Sequence, residues 1–288
     1  MNGKTALVLG VTGRIGNALA KSLIRNDWQV YGAARFGREG TFQKVAADDL
    51  TPIRFDVTQN DPATLPDVKV VFLEIWDPQQ PQQIWDINFF GVGRVVERYA
   101  GIADIVNGST INVYGDSPDP ANEDTPPRPT GDYGRSRFAQ EKLIDYFCWR
   151  GGKKGIHVRY AHANTAQAGI VRRMAETILA GKSLGANPDA KVQVMALADA
   201  VRVTQAAVSR ATCPPAAVNC CHPRIWSQRE LAETIQARLG RGQVIFDREG
   251  GGIKHSAYAD AGRMLAWFGK PRVSLETVLN QVVMECKR

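Results

Sequence analysis

Leu9-Gly10-Val11-Thr12-Gly13-Arg14-Ile15-Gly16 sets three glycines at intervals of three residues near the start of the chain. The apolar run Thr5 to Leu9 leads into it, and a helix-like run from Asn17 to Ile24 leads out. Glycine at 10 lets the chain turn sharply off a strand. Glycine at 13 lets the backbone approach a pyrophosphate without a Cβ in the way, and glycine at 16 lets the following helix pack close to a sheet. The helix N-terminus then offers N–H groups and a partial positive charge to phosphates. The strand–turn–helix context around the glycines is what this mechanism requires.

The 288 residues suffice for a sizeable core, in one large domain or a main domain with a smaller lobe. A net charge of +7 favours anionic partners, but Lys and Arg form no basic arm, so nucleic acid is not the expected partner. A dinucleotide and an anionic substrate account for the charge. No stretch reads as a leader, and none approaches the roughly 20 apolar residues of a membrane span. The five cysteines, Cys148, Cys213, Cys220, Cys221 and Cys286, have no zinc-type spacing. The adjacent Cys220 and Cys221 read as strand residues rather than a redox pair. A reducing cytoplasm fits.

Strand and helix patterns alternate through the first half. Strands are expected at Thr5–Leu9, Gln29–Ala33, Ile53–Phe55, Val68–Leu73, Ile105–Thr110 and His157–Tyr160, with long helices over Ile84–Tyr99 and Arg135–Trp149. That alternation predicts a doubly wound parallel α/β sheet of the Rossmann type. The dinucleotide-binding domain is expected over residues 1–165, with a return segment near 192–222. A smaller, mainly helical substrate lobe is expected over 166–288, with short strands near Val218–Cys221 and Gln243–Phe246. The Pro-rich segment Asp116–Asp132 is long for a loop inside a compact domain, and a mobile lid is expected there. Gly250-Gly251-Gly252 reads as a second flexible loop.

Strand two ends Tyr31-Gly32-Ala33-Ala34-Arg35. A carboxylate commonly binds the adenosine ribose at this point, and here there is none. Arg35 offers a guanidinium to a 2′-phosphate instead, with Arg38 as a second cation, so NADP(H) is expected over NAD(H).

The Gly-x-x-Gly-x-x-Gly spacing, Gly108-Ser109-Thr110-Ile111-Asn112-Val113-Tyr114-Gly115 and Tyr133-Gly134-Arg135-Ser136-Arg137 together resemble the extended short-chain dehydrogenase/reductase family, also called the epimerase/dehydratase family. The resemblance implies an oxidoreductase or epimerase acting at a C–OH/C=O centre, often of a nucleotide sugar. Tyr133 would be its acid/base and Thr110 its hydroxyl partner, with Ser109 as the fallback. The family's lysine, which supplies a cation beside the tyrosine and grips the nicotinamide ribose, is Arg137 here. Tyr133 and Arg137 are four apart and share a helix face. Cofactor contacts are implied for Gly10, Thr12, Gly13, Arg14, Ile15, Gly16, Arg35, Asp56, Val57, Tyr133 and Arg137. Asn88 would support the scaffold, Asn112, His162 and Asn164 would line the substrate side, and Asp199 would be structural. A homodimer through the two long helices is implied as well, using Phe89, Phe90, Phe138, Tyr146 and Phe147. No metal site is expected.

The first third also resembles the progesterone 5β-reductase and iridoid synthase branch, in Gly10-Val11-Thr12-Gly13, Val30–Arg35 and Trp76. That branch reduces enones and carries a lysine just after strand five, where this chain reads Ser109-Thr110-Ile111-Asn112. Enone reduction therefore stands as an alternative, as does a non-catalytic NADP(H)-binding regulator, which Arg137 in place of lysine suggests.

Overall fold

The structure is a computed structural model that describes residues 3–37, 40–46, 50–75, 81–117, 119–247, 256 and 258–287. Arg38, Trp76, Pro118 and Gly250 to Gly252 lie outside the described residues. The first elements are β1 (Thr5–Leu9), α1 (Arg14–Ile24), β2 (Gln29–Ala34), α2 (Thr41–Ala46), β3 (Thr51–Arg54) and β4 (Val70–Leu73). α3 (Val92–Tyr99), β5 (Asp104–Thr110), α4 (Asp132–Gly151) and β6 (Gly155–Tyr160) follow. The rest comprises β7 (His162–Asn164), α5 (Ile170–Leu179), β8 (Lys191–Val192), β9 (Val194–Ala196), α6 (Leu197–Ala207), β10 (Ala216–Cys220), β11 (Trp226–Ser227), α7 (Gln228–Leu239), α8 (Gly262–Phe268) and α9 (Leu275–Lys287).

Seven strands form the central sheet in the order β10-β6-β5-β4-β1-β2-β3. β1 pairs in parallel with β2 and β4, β2 with β3, and β4 with β5. The order reverses between β1 and β4, and the glycine turn follows β1 at that reversal, where open α/β sheets bind ligands. β1 and β4 are buried almost throughout, as strands covered on both faces must be. The helix after β4 is irregular: Asp86–Gly91 is a π-helical turn that runs into α3. Such turns are frequent at functional sites.

The chain divides into two compact units. The first comprises Met1–Thr110, Gly131–Arg159 and Val201–Val218. Its core is built from Leu7, Leu9, Val71, Leu73, Val92, Val95, Tyr99, Ile105 and Ile144. The second comprises Ile111–Thr130, Tyr160–Ala200 and Asn219–Arg288, and α5, α7 and α9 supply most of its apolar core. Asp199 accepts the backbone N–H groups of Arg272 and Val273, a structural duty.

Three expectations need correction. Helix α1 starts at Arg14, not Asn17, so Gly16 lies inside its first turn. Gln243–Phe246 forms no strand; among these residues only Ile245 makes a bridge, to Ser183. The Pro-rich segment is not a loose lid within the first unit. Residues 111–130 belong to the second unit, where Ala121 bridges Ala259, the Asn219 N–H donates to Glu123 at 2.7 Å, and Arg263 pairs with Asp124 at 2.9 Å. These contacts tie residues 121–124 to the second unit, in a segment whose length and place between Thr110 and Tyr133 suggested a lid. The cysteines are all free; Cys220 and Cys221 are buried strand-end residues, and burial pushes the Cys221 thiol up to about 12.

Candidate functional site

The glycine turn is shaped by close backbone approach. Gly10 has φ +91°, and a Cβ there would lie 2.4 Å from the carbonyl oxygen of Glu74. A Cβ on Gly16 would lie 2.4 Å from the carbonyl oxygen of Gly10. Any side chain at either position would push β1, α1 and the end of β4 apart. Thr12, Gly13 and Arg14 are exposed and Ile15 is half-buried, so the first turn of α1 is presented outward. The residues present fit a dinucleotide pyrophosphate: an exposed helix N-terminus after a turn that tolerates no Cβ.

Beside that turn, Arg35 follows β2 directly, with its side chain exposed. The next residue, Phe36, is left-handed at φ 51° and buried, and it packs edge-on against Phe42 with ring centroids 5.0 Å apart. This buried ring anchors the chain where it leaves the sheet and so fixes the base of Arg35. A cleft of about 520 Å³ opens here, lined by Arg35, Asp56, Val57, Thr58, Gln59, Gln83, Asp86, Phe90, Gly91 and Arg94. Arg94 donates to the Val57 carbonyl at 3.3 Å. Sequence reading missed it because a lone arginine on a helix reads as solvated surface. Asp56 makes an Asx turn, its Oδ1 accepting from Thr58 N and Oγ1 at 2.9 and 2.7 Å.

Thr110 and Tyr133 both lie in the first unit, at the C-terminal end of β5 and in the first turn of α4. Thr110 is buried and Tyr133 half-buried. Asn88, in the π-helical turn, donates from Nδ2 to Ser136 Oγ at 3.1 Å, and Ser136 Oγ donates to the Tyr133 carbonyl at 3.0 Å. Asn88 thus braces the turn that carries the tyrosine. Ser109 is not a spare catalytic hydroxyl: it is buried and donates to Glu141 Oε1 at 2.5 Å.

Arg137 lies one turn after Tyr133 in α4. Its side chain is 4 % exposed and turned into the protein. Nη1 donates to the Ile75 carbonyl at 3.1 Å and to Gln140 Oε1 at 2.8 Å, and Nη2 donates to the Gly108 carbonyl at 2.6 Å. The guanidinium fork reaches several acceptors at once, which a lysine ammonium at the same position matches poorly.

A buried polar network continues behind it. Gln140 Nε2 donates to Asn107 Oδ1 at 2.9 Å, Asn107 Nδ2 meets His157 Nδ1 at 3.1 Å, and His157 Nε2 meets Asp145 at 2.9 Å. Arg159 forks onto Glu141 at 3.0 and 2.7 Å. Burial pushes the Glu141 carboxyl up, but His157, Arg159 and the Ser109 hydroxyl together outweigh it and hold the carboxyl below its ordinary value. None of this network was read from the sequence. Its signal was present: polar residues at 137, 140, 141 and 145, on one helix stripe, facing a strand whose residues 107 and 109 are also polar.

The expected substrate-side residues lie in the second unit. Asn112 is half-buried in a 3₁₀ turn after β5, and His162 is half-buried at the start of β7. Asn164 is buried, and its carboxamide is committed: Nδ2 donates to the His162 carbonyl at 2.5 Å and Oδ1 accepts from Val171 N at 3.1 Å. It thereby serves the start of α5. Among the described residues no group of His, Cys, Asp and Glu is placed to hold a metal ion, and no helix is long and apolar enough to cross a membrane.

Comparison with known proteins converges on this architecture. Over 94 residues the chain is 32 % identical to UDP-glucose 4-epimerase of Streptomyces lividans; the match covers 32 % of this chain and 29 % of that relative. The fold is similar to that of UDP-glucose 4-epimerase from Thermotoga maritima, solved with UDP-glucose, at TM-score 0.83 and 19 % identity over 98 % of each chain. UDP-glucuronic acid 4-epimerase from Bacillus cereus, solved with UDP-glucuronic acid and NAD, gives TM-score 0.82 at 20 % identity, covering 98 % of this chain and 99 % of that one. The dTDP-glucose 4,6-dehydratase of Bacillus anthracis, solved with NAD, gives 0.84 at 16 % identity, covering 99 % and 96 %. The family model of the NAD dependent epimerase/dehydratase family matches residues 6–221, a span that takes in the glycine turn, the whole central sheet and the helix bearing Tyr133. The chain belongs to the NAD dependent epimerase/dehydratase family of extended short-chain dehydrogenase/reductase enzymes.

Proposed function

We propose that this protein is an NADP(H)-dependent oxidoreductase or epimerase acting at a C–OH/C=O centre of a sugar or nucleotide sugar. The turn from Gly10 to Gly16 holds the pyrophosphate, and Arg35 with Arg94 takes the adenosine end in the polar cleft. The bound nicotinamide supplies hydride transfer. Tyr133 gives a proton to the substrate oxygen as the carbonyl is reduced, or takes one as the alcohol is oxidised, and the Thr110 hydroxyl hydrogen-bonds the same oxygen as charge develops on it.

One observation carries the reading. The helix that bears Tyr133 is fastened to Asn107, Gly108 and Ser109, the three residues that directly precede Thr110. A pair of groups meant to meet one substrate oxygen needs such fixing, because small misplacement is costly in rate. The relatives named above act on nucleotide sugars, which supports that substrate class. The Bacillus cereus and Bacillus anthracis structures hold NAD, so NADP(H) preference rests on Arg35 and the missing carboxylate. The test is NADPH oxidation, NADP⁺ reduction in reverse and, because an epimerase returns its hydride and leaves the cofactor unchanged overall, interconversion of sugar epimers, across a panel of nucleotide sugars and small carbonyls. Wild-type turnover that Tyr133→Phe removes supports the assignment.

The inward-turned guanidinium of Arg137 favours one second reading, a non-catalytic NADP(H)-binding regulator. NADPH binding without turnover of any member of the panel would favour it.

A further inference from the structure

We propose that Arg137 is a positioning residue rather than a ligand of the cofactor: with Gln140 and Glu141 it clamps β5 to α4 and so holds Thr110 in register with Tyr133. The inference rests on the assignment of Tyr133 and Thr110 made above.

The clamp works residue by residue. Gln140 donates to the Asn107 side chain, Arg137 to the Gly108 carbonyl, and Glu141 accepts from the Ser109 hydroxyl, at 2.9, 2.6 and 2.5 Å. Asn107 and Ser109 point to the same side of the sheet because side chains alternate along a strand, so both meet α4. Gly108 between them can offer α4 only its backbone. The far side of Gly108 is taken: a Cβ there would lie 2.5 Å from the Glu74 carboxylate. A side chain that grips a backbone carbonyl from the helix must be long and must donate, and Arg137 is both. Its second nitrogen reaches the Ile75 carbonyl beyond the end of β4, so one guanidinium ties the ends of two neighbouring strands to one helix.

Tyr133, Arg137 and Glu141 recur at four-residue intervals and so lie along one stripe of α4. The stripe that presents the tyrosine is therefore the stripe that grips the strand. A slip of β5 by one residue would move Thr110 by ~3.3 Å and break all three grips. Burial of the clamp, with Arg137 4 % and Glu141 0 % exposed, keeps water from competing for the donors and acceptors.

The test combines dinucleotide binding with local hydrogen exchange, and neither readout needs turnover. Wild type, Arg137→Met, Arg137→Lys and Ser109→Ala are titrated with NADPH by fluorescence. Amide exchange is followed at Gly108 to Thr110 and, as a control, in α1. The inference predicts NADPH affinity within about twofold of wild type in all three variants. It also predicts exchange at Gly108 to Thr110 at least tenfold faster with α1 unchanged. Lysine should not rescue the protection, because any cation can serve a ribose but only the fork spans both carbonyls. Ser109→Ala leaves Glu141 paired with Arg159, so it keeps the test alive if the Arg137 variants do not fold. Affinity reduced tenfold or more in Arg137→Met, restored by Arg137→Lys, would overturn the inference and leave the Tyr133 assignment standing. Unchanged exchange in Ser109→Ala would likewise overturn it. Wild type that binds neither NADPH nor NADH would overturn the functional reading and the inference together.

Discussion

Nη2 of Arg137 lies 2.6 Å from the carbonyl oxygen of Gly108, two residues before Thr110. The family pattern resembled here has a lysine at this position. The substitution changes the reach of the side chain more than its charge. Removing the fork leaves two backbone carbonyls and the Gln140 amide oxygen short of a donor in a dry environment. Each such buried group costs roughly 1–3 kcal/mol. Arg137→Met should destabilise the protein by about 3 kcal/mol or more, read as a shift of the urea midpoint at constant slope. A shift under about 0.5 kcal/mol, the size of an ordinary surface change, would show that the clamp contributes nothing to stability.

Arg35 carries the cofactor prediction. A hydrogen bond to a charged group contributes about 1.5–3 kcal/mol, or roughly ten- to a hundredfold in affinity. Arg35→Asp should weaken NADPH by that factor and leave NADH within about threefold or tighter. Paired titrations of wild type with both dinucleotides come first; equal affinity, or tighter NADH, would remove the basis for an NADP(H) enzyme. Arg94→Ala should weaken both dinucleotides, since it lines the cleft through Val57 and not only at a phosphate.

The buried carboxylates make acid stability predictable in sign. Glu141 and Asp145 are both held below their ordinary values: burial opposes this, but His157 with Arg159 in one case and with Lys142 in the other outweighs it. A depressed folded-state value means that stability is fully present above the unfolded-state range, near pH 4–5, and is lost as pH falls below it. Thermal midpoints should fall as pH drops below about 5. Glu141→Gln should flatten that fall while lowering stability at pH 7, since it leaves Arg159 buried without its anion. Breaking a buried pair costs about 3–5 kcal/mol. An unchanged acid profile in Glu141→Gln would contradict the assignment.

Helix α4 also has an outward face. Tyr146 and Trp149 are 50 % and 69 % exposed, with ring centroids 6.4 Å apart, and Phe90 near α3 is 63 % exposed. Phe147, by contrast, is buried in the core of the first unit and is not available to a partner. We propose that the exposed rings meet their copies in a homodimer. Light scattering at micromolar concentration should give twice the chain mass, and Tyr146→Glu with Trp149→Glu should give the monomer. A wild-type monomer would end this proposal.

Much of the fold was legible because its signals are local. The glycine spacing after Thr5–Leu9 and the alternating strand and helix patterns are set by neighbouring residues, and the sheet formed where they pointed. Tyr133 and Thr110, the proposed acid/base and its hydroxyl partner, were singled out through short motifs. What escaped depends on contacts across long stretches of chain. Asn107 and Gln140 are 33 residues apart, and Asn107 and His157 are 50 apart. Polar residues on a helix ordinarily read as its solvent face, yet on α4 they form the buried side. The pinning of the Pro-rich segment was hidden in the same way, since its partners Asn219, Ala259 and Arg263 lie about a hundred residues or more downstream.

The central claim is that Tyr133 moves the proton at the substrate oxygen. Wild type and Tyr133→Phe are compared on a sugar or carbonyl substrate that the wild type turns over, by single-turnover oxidation of NADPH where the product is reduced and by interconversion of the two sugars where the reaction is an epimerisation, which oxidises no NADPH overall. General acid–base catalysis contributes about 10²–10⁴-fold, so the account predicts a rate lower by at least a hundredfold with NADPH affinity within about twofold. A phenylalanine variant as fast as wild type would contradict it.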